Sequence, residues 1–110
     1  MANLGPLASA HLAAAHASTH GKSAELVVHD GNLRQSVVAL VAGTALNEHS
    51  SPPAGTLQVL QGRIRVTEGD GTTELSEGDL WPLTHARHSV VADEDSVFLL
   101  TAVTGVDRVG

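Results

Sequence analysis

The sequence predicts an all-β domain led by one short α-helix, and three observations point there. From Glu25 onward, short runs of Val, Leu, Ile and Thr alternate with turn residues at intervals of about eight to twelve, the signature of a sandwich or barrel. The stretch before it is dominated by alanine, the best helix former, and closes at Gly21. At 110 residues, with 42% hydrophobic and 16% charged residues, the chain is long and apolar enough to pack one core as one domain. Residues 1–22 are therefore read as a helical appendage and residues 23–110 as the β-barrel domain.

The helix is predicted from Leu7 to about Thr19, with Leu7, Leu12 and Ala15 on one face. A first strand, Glu25–His29, precedes the turn Asp30-Gly31-Asn32. The next run, Leu33–Ala42, is apolar on both faces over Val37–Val41, so it has to be covered twice: by the barrel interior, and by a helix, another sheet or a second subunit. In the polar segment Asn47–Pro53, two prolines forbid an interior ladder position and mark a strand end or loop. Thr56–Leu60 and Arg63–Thr67 flank the turn Gln61-Gly62, and the second arm puts Ile64 and Val66 on one face and Arg63 and Arg65 on the other. Glu68-Gly69-Asp70-Gly71 reads as a turn. Thr72–Leu75, Asp79–Leu83, His88–Val91 and Val97–Val103 bring the count to about eight strands, which suits a double-sheet jelly roll better than a seven-strand immunoglobulin-like plan.

Composition excludes several functions. Six Lys+Arg against twelve Asp+Glu give a charge of −6, with no basic cluster for a phosphate backbone, so nucleic acid is not an expected partner. Without cysteine there is no disulfide, thiolate nucleophile, Cys-ligated zinc or iron–sulfur cluster. No basic leader precedes the alanine-rich stretch, which Ser9, His11, His16 and His20 interrupt, so neither a signal peptide nor a membrane span is expected and the cytoplasm is the simplest location. Seven histidines stand out, since protonating all of them would move the charge to +1 near the ordinary imidazole pKa of about 6.5.

Two stretches carry a family likeness. The run His49-Ser50-Ser51, then Gly55 to Val66, followed by Glu77-Gly78-Asp79-Leu80 and Thr84-His85-Ala86-Arg87-His88-Ser89-Val90, resembles the two motifs of a small single-domain cupin of the RmlC-like kind. Gly43, His49 and Gly62 stand at the spacing of the first motif, and Gly78 and His88 at nearly that of the second. The resemblance implies a cupin-type double-stranded β-helix, that is, a jelly-roll barrel. It also implies a divalent transition metal (Fe, Mn, Ni, Zn or Cu) held by His and Glu residues of the first motif and the His of the second. Here those positions carry His49, Ser51, Gly55 and His88, so two of four ligands survive, and Thr84 and Ala86 replace the usual Pro and Gly.

A metal site that leaves a position open for substrate commonly needs three protein ligands, and two imidazoles hold an ion loosely. Glu48 adjoins His49 and in extended backbone points to the other face. His85, three residues before His88, is nearer the right place. His16 and His20, four apart on the predicted helix, could chelate zinc, although with His11 they read first as surface or interfacial residues. Ser50 and Ser51 lack a nucleophile elbow, Glu74 and Glu77 read as a solvated edge, and Gly69-Asp70-Gly71 does not open a helix that could cradle phosphate.

The expected function is a small-molecule binding or sensing module with a pocket inside the barrel. His49 and His88 frame that pocket, Ser51, Leu57, Val59 and Trp81 line it, and His49 with His88 would hold any weakly bound metal. A metal-dependent enzyme of the dioxygenase or isomerase kind is the alternative, and a structural or interaction protein the third reading. The doubly apolar strand and the edges of an open jelly roll argue for a homodimer.

Overall fold

The computed structural model describes residues 1–49, 54–84 and 86–105, the side chains of residues 47–49 excepted. Helix α1 (Leu4–Ala17) is followed by β1 (Lys22–Asp30), β2 (Leu33–Leu40), β3 (Ala45–His49), β4 (Ala54–Gln61), β5 (Arg63–Glu68), β6 (Gly71–Ser76), β7 (Leu80–Pro82), β8 (His88–Ala92) and β9 (Ser96–Val103). The strands make two antiparallel sheets, one in the order β1-β2-β9-β4-β7 and the other β3-β8-β5-β6. Their inward side chains share one core of Val38, Leu40, Leu57, Val59, Ile64, Val66, Leu75, Leu83, Val90, Ala92 and Phe98. The predicted all-β architecture with one leading helix is what the chain adopts.

Two elements differ from expectation. Strand β3 is a ninth strand, lying where the sequence promised a strand end or loop. It is an edge strand with β8 as its one neighbour and a register irregularity between Leu46 and His49, so one inward apolar side chain, Leu46, suffices to seat it. Helix α1 starts three residues early, because the Asn3 side chain caps it by accepting the Gly5 N–H at 3.3 Å and proline is tolerated in a first turn. It ends at Ala17, where Ser18 turns extended. His20 therefore lies off the helix, and the His16–His20 pair cannot present a chelating helical face.

The doubly apolar strand explains where the helix goes. Val38 and Leu40 point into the barrel core, whereas Val37 and Ala39 face outward and are buried with Val97 beneath Ala8 and Ala15 of α1. The second cover is thus the chain's own helix, and β2 no longer argues for a second subunit. The outer edges of β1 and β7 have no strand partner among the described residues.

Two histidines fasten the helix. His11 Nε2 donates to the Glu25 carboxylate of β1 at 2.9 Å, and its Nδ1 meets the Ser23 hydroxyl at 2.8 Å. His16 Nε2 donates to Asp95 Oδ2 at 2.7 Å, in the turn between β8 and β9. Both are interfacial residues, as the sequence suggests, and the interface is the one between helix and barrel. The Ala42 N–H donates to the other Asp95 oxygen at 2.9 Å, and this bond, then the one from His16, holds the Asp95 carboxyl below its usual range. A carboxylate with a depressed folded pKa contributes stability that is complete above its unfolded value of about 3.9 and lost as pH falls through the folded value. The stability gap between wild type and Asp95→Ala is therefore expected to be full at about pH 6 and to be narrower at about pH 3, below the unfolded value. Urea unfolding at the two pH values checks this, and a gap that ignores pH would contradict it.

Candidate functional site

Strands β4 and β5 run away from a shared corner at Gly62, one in each sheet, so the inward positions can be counted outward from that corner as layers. In the first, Val59 pairs with Phe98 on one sheet and Ile64 with Ala92 on the other. In the second, Leu57 pairs with Leu100 and Val66 with Val90. Both layers are apolar and packed, with Leu57 and Val59 at 1% and 0% exposure. The third breaks the pattern: Gly55 pairs with Ala102 on one sheet, and Glu68 with His88 on the other. Two residues with almost no side chain there face an imidazole and a carboxylate.

Backbone pairing builds the polar side of this layer. His88 opens β8, and its Cα register sets it opposite Glu68 of β5 on one flank and His49 of β3 on the other. His88 is 2% exposed, while Glu68, Gly55 and Ala102 are partly exposed. The segment after β7 folds over the same end. The Leu83 N–H donates to the Gly55 carbonyl at 3.0 Å, and the Thr84 hydroxyl donates to the Glu68 carboxylate while accepting the Ala86 N–H at 3.2 Å.

The candidate residues fall into place unevenly. His49 and His88 are brought into register, as their motif positions require; the His49 side chain, Ser51 and His85 lie outside the described residues. Gly55 occupies an inward position. Leu57 forms part of the floor below the third layer, and Trp81, opposite Leu57 in β7, packs half-buried against the core. Val59 lies a layer deeper, behind Leu57, and is core packing, not pocket wall. Glu74 pairs with Arg63 on the outer face of its sheet, at 3.4 Å, as a solvated edge would.

Glu68 was missed. Its neighbours Gly69-Asp70-Gly71 read as a turn by composition, but β5 runs through Glu68 before turning. The signal was present: the period-two series Ile64, Val66, Glu68 carries the inward face one step further. A separate groove of about 760 Å³ lies between the start of α1 and β1, floored by Leu26, Val27 and Val28. It contains none of the motif histidines, and its carboxylate, Glu25, is already bonded to His11.

No protein-family model matches the sequence, and no curated protein matches it. Solved structures do match. A conserved protein of unknown function from Streptococcus pyogenes superposes with a TM-score of 0.73 at 23% identity, over 82% of this chain and 80% of that one. A cupin-2 domain containing protein from Shewanella frigidimarina does so with a TM-score of 0.73 at 13% identity, over 94% of each chain. An RmlC-like cupin from Desulfovibrio desulfuricans reaches 0.65 at 27% identity, over 74% of this chain and 81% of that one. Among the described residues no helix is long and apolar enough to cross a membrane. Topology, layered core and structural likeness converge on the cupin-type fold, a double-stranded β-helix jelly roll with one N-terminal helix packed on its outer face.

Proposed function

We propose that this domain is a small-molecule binding or sensing module that takes its ligand into the third layer of the barrel, between His49 and His88 on one sheet and Gly55 and Ala102 on the other. The observation that carries this reading is the abrupt change at that layer, from close-packed apolar pairs to a polar pair facing two residues without bulk. A binding site of this kind needs an apolar floor and a few convergent polar groups. Leu57, Leu100, Val66 and Val90 supply the floor, and each ligand methylene buried on it would contribute about 0.8 kcal/mol. The test is a fragment screen followed by amide NMR shifts. Fragments are expected to move the resonances of Leu57, Val66, Val90 and Leu100, and Gly55→Leu, which fills the layer, to abolish the shifts while the fold is kept. Shifts confined to the groove between α1 and β1, or unchanged in Gly55→Leu, would overturn the reading.

The metal-dependent enzyme is the weaker reading, because the donor set does not fit. Gly55 offers no side chain where the family likeness calls for a carboxylate, and among the described residues no three His, Asp or Glu side chains converge as ligands. His49 and His88 stand in register with Glu68, but that carboxylate already accepts the Thr84 hydroxyl, and two imidazole positions without a committed third ligand are a loose hold for a transition metal. Protein purified without a His-tag is expected to carry Fe, Mn, Ni, Zn or Cu well below one per chain by elemental analysis. Near-stoichiometric metal that disappears in both His49→Ala and His88→Ala would reverse the order of the two readings.

A further inference from the structure

We infer that Glu68 selects the ligand's head group, so that the site takes an apolar molecule bearing an amine or hydroxyl and rejects a carboxylate. This rests on the ligand-binding reading above. Glu68 is the inward residue of the third layer on β5, directly opposite His88, at the top of the apolar series Ile64 and Val66. Its Oε2 accepts the Thr84 hydroxyl, and its Oε1 meets no donor among the described residues. A carboxylate can only accept hydrogen bonds. A ligand seated on Leu57, Leu100, Val66 and Val90 therefore meets, at the edge of its apolar body, an acceptor with one oxygen uncommitted.

Thr84 makes that acceptor a positioned one. Its hydroxyl accepts from Ala86 N–H at 3.2 Å, which directs the hydroxyl proton towards Glu68 and fixes the carboxylate between β5 and the segment leading into β8. Across the layer, Gly55 and Ala102 present no group that would bond a ligand head by its side chain, so among the described side chains the carboxylate of Glu68 is the charged group the head meets. The carboxylate repels an anion and rewards a donor.

Three isosteric probes test this on the whole chain: benzylamine, benzyl alcohol and benzoate. The readout is the fluorescence of Trp81, the one tryptophan in the sequence, which stands in register with Leu57 in the floor, together with the amide shifts of the second layer. Benzylamine and benzyl alcohol are expected to bind at least about tenfold more tightly than benzoate, the size of one charge-assisted hydrogen bond. In Glu68→Gln, whose amide still accepts the Thr84 hydroxyl, the preference of benzylamine over benzoate is expected to collapse to about twofold at an unchanged melting temperature. Benzoate binding as tightly as benzylamine to the wild type, or a preference that survives Glu68→Gln, would overturn the assignment of Glu68 while leaving the ligand site standing. If none of the three probes perturbs Trp81 or the second layer, the ligand-binding reading itself falls.

Discussion

Phe98→Ala is expected to destabilise the domain by about 3–5 kcal/mol, enough to leave it marginal or unfolded given typical domain stabilities of about 5–15 kcal/mol. Phe98 is the largest of the fully buried side chains, at 1% exposure, and sits in the middle of the five-stranded sheet between Val38 of β2 and Val59 of β4. The composition magnifies the effect. The chain has one Phe, one Trp and no Tyr; Trp81 is held on β7 beside Leu57, and the surrounding Val, Leu and Ile side chains are held by their strands, so nothing refills the void without loss. Leu99→Ala provides the comparison. Leu99 is on the opposite face, partly buried in the smaller cluster under α1, and its truncation is expected to cost less than half as much. Equilibrium urea unfolding measures both, and a Phe98→Ala loss below that of Leu99→Ala would refute the placement of the core.

Gly62→Ala is expected to lower stability by about 3 kcal/mol, roughly a 12 °C fall in melting temperature for a domain of this size. Gly62 has φ +86°, a conformation that costs a side-chain-bearing residue about 1–2 kcal/mol. A Cβ there would also stand 2.4 Å from the Asp95 carbonyl oxygen, 2.4 Å from Ser96 Oγ and 2.9 Å from Ser96 Cα. The obstacle is largely backbone, and Ser96 cannot yield, because it is fully buried and its hydroxyl accepts the Arg63 N–H at 3.0 Å. Gly43 separates strain from collision: its φ is also +86°, but nothing lies within 4 Å of an added Cβ. Gly43→Ala should therefore show only the backbone cost, about 1 kcal/mol. Equal melting temperatures for the two variants would remove the collision from the account.

Most of the fold was legible because its determinants are local. Alternation set the inward faces of β4 and β5, Gly and Asp marked the hairpins, and the two-sided apolarity of Val37–Val41 announced a second cover that the structure supplies as α1. What was not legible depended on pairing. Strand β3 has little apolar content of its own and is held by β8, so its run of residues carries almost no signal. The roles of His11 and His16 depend on Glu25 and Asp95, and the latter lies 79 residues from its partner. The site divides in the same way. His49 and His88 could be named from their motif spacing. Glu68 and Ala102 enter the proposed site through the register that sets them opposite His88 and Gly55, and Val59, also expected there, stands in the core one layer behind Leu57.

The helix clip has a consequence for the order of events during synthesis. Everything α1 sits on is made later than α1 itself: Val37 and Ala39 come soon after, but Val97 and the Asp95 acceptor of His16 come near the far end of the described chain. The sheet has the same habit, since β2 is zipped on one side to its neighbour β1 and on the other to β9. A nascent chain therefore carries an alanine-rich segment and a greasy hairpin past the ribosome with only each other for cover until β8 and β9 have emerged. Early contacts are local ones, the β1–β2 hairpin, the packing of α1 on it and the β5–β6 hairpin, whereas the long-range pairing of β2 with β9 is slow to close. The interval before closure is when the chain most needs protection from its neighbours.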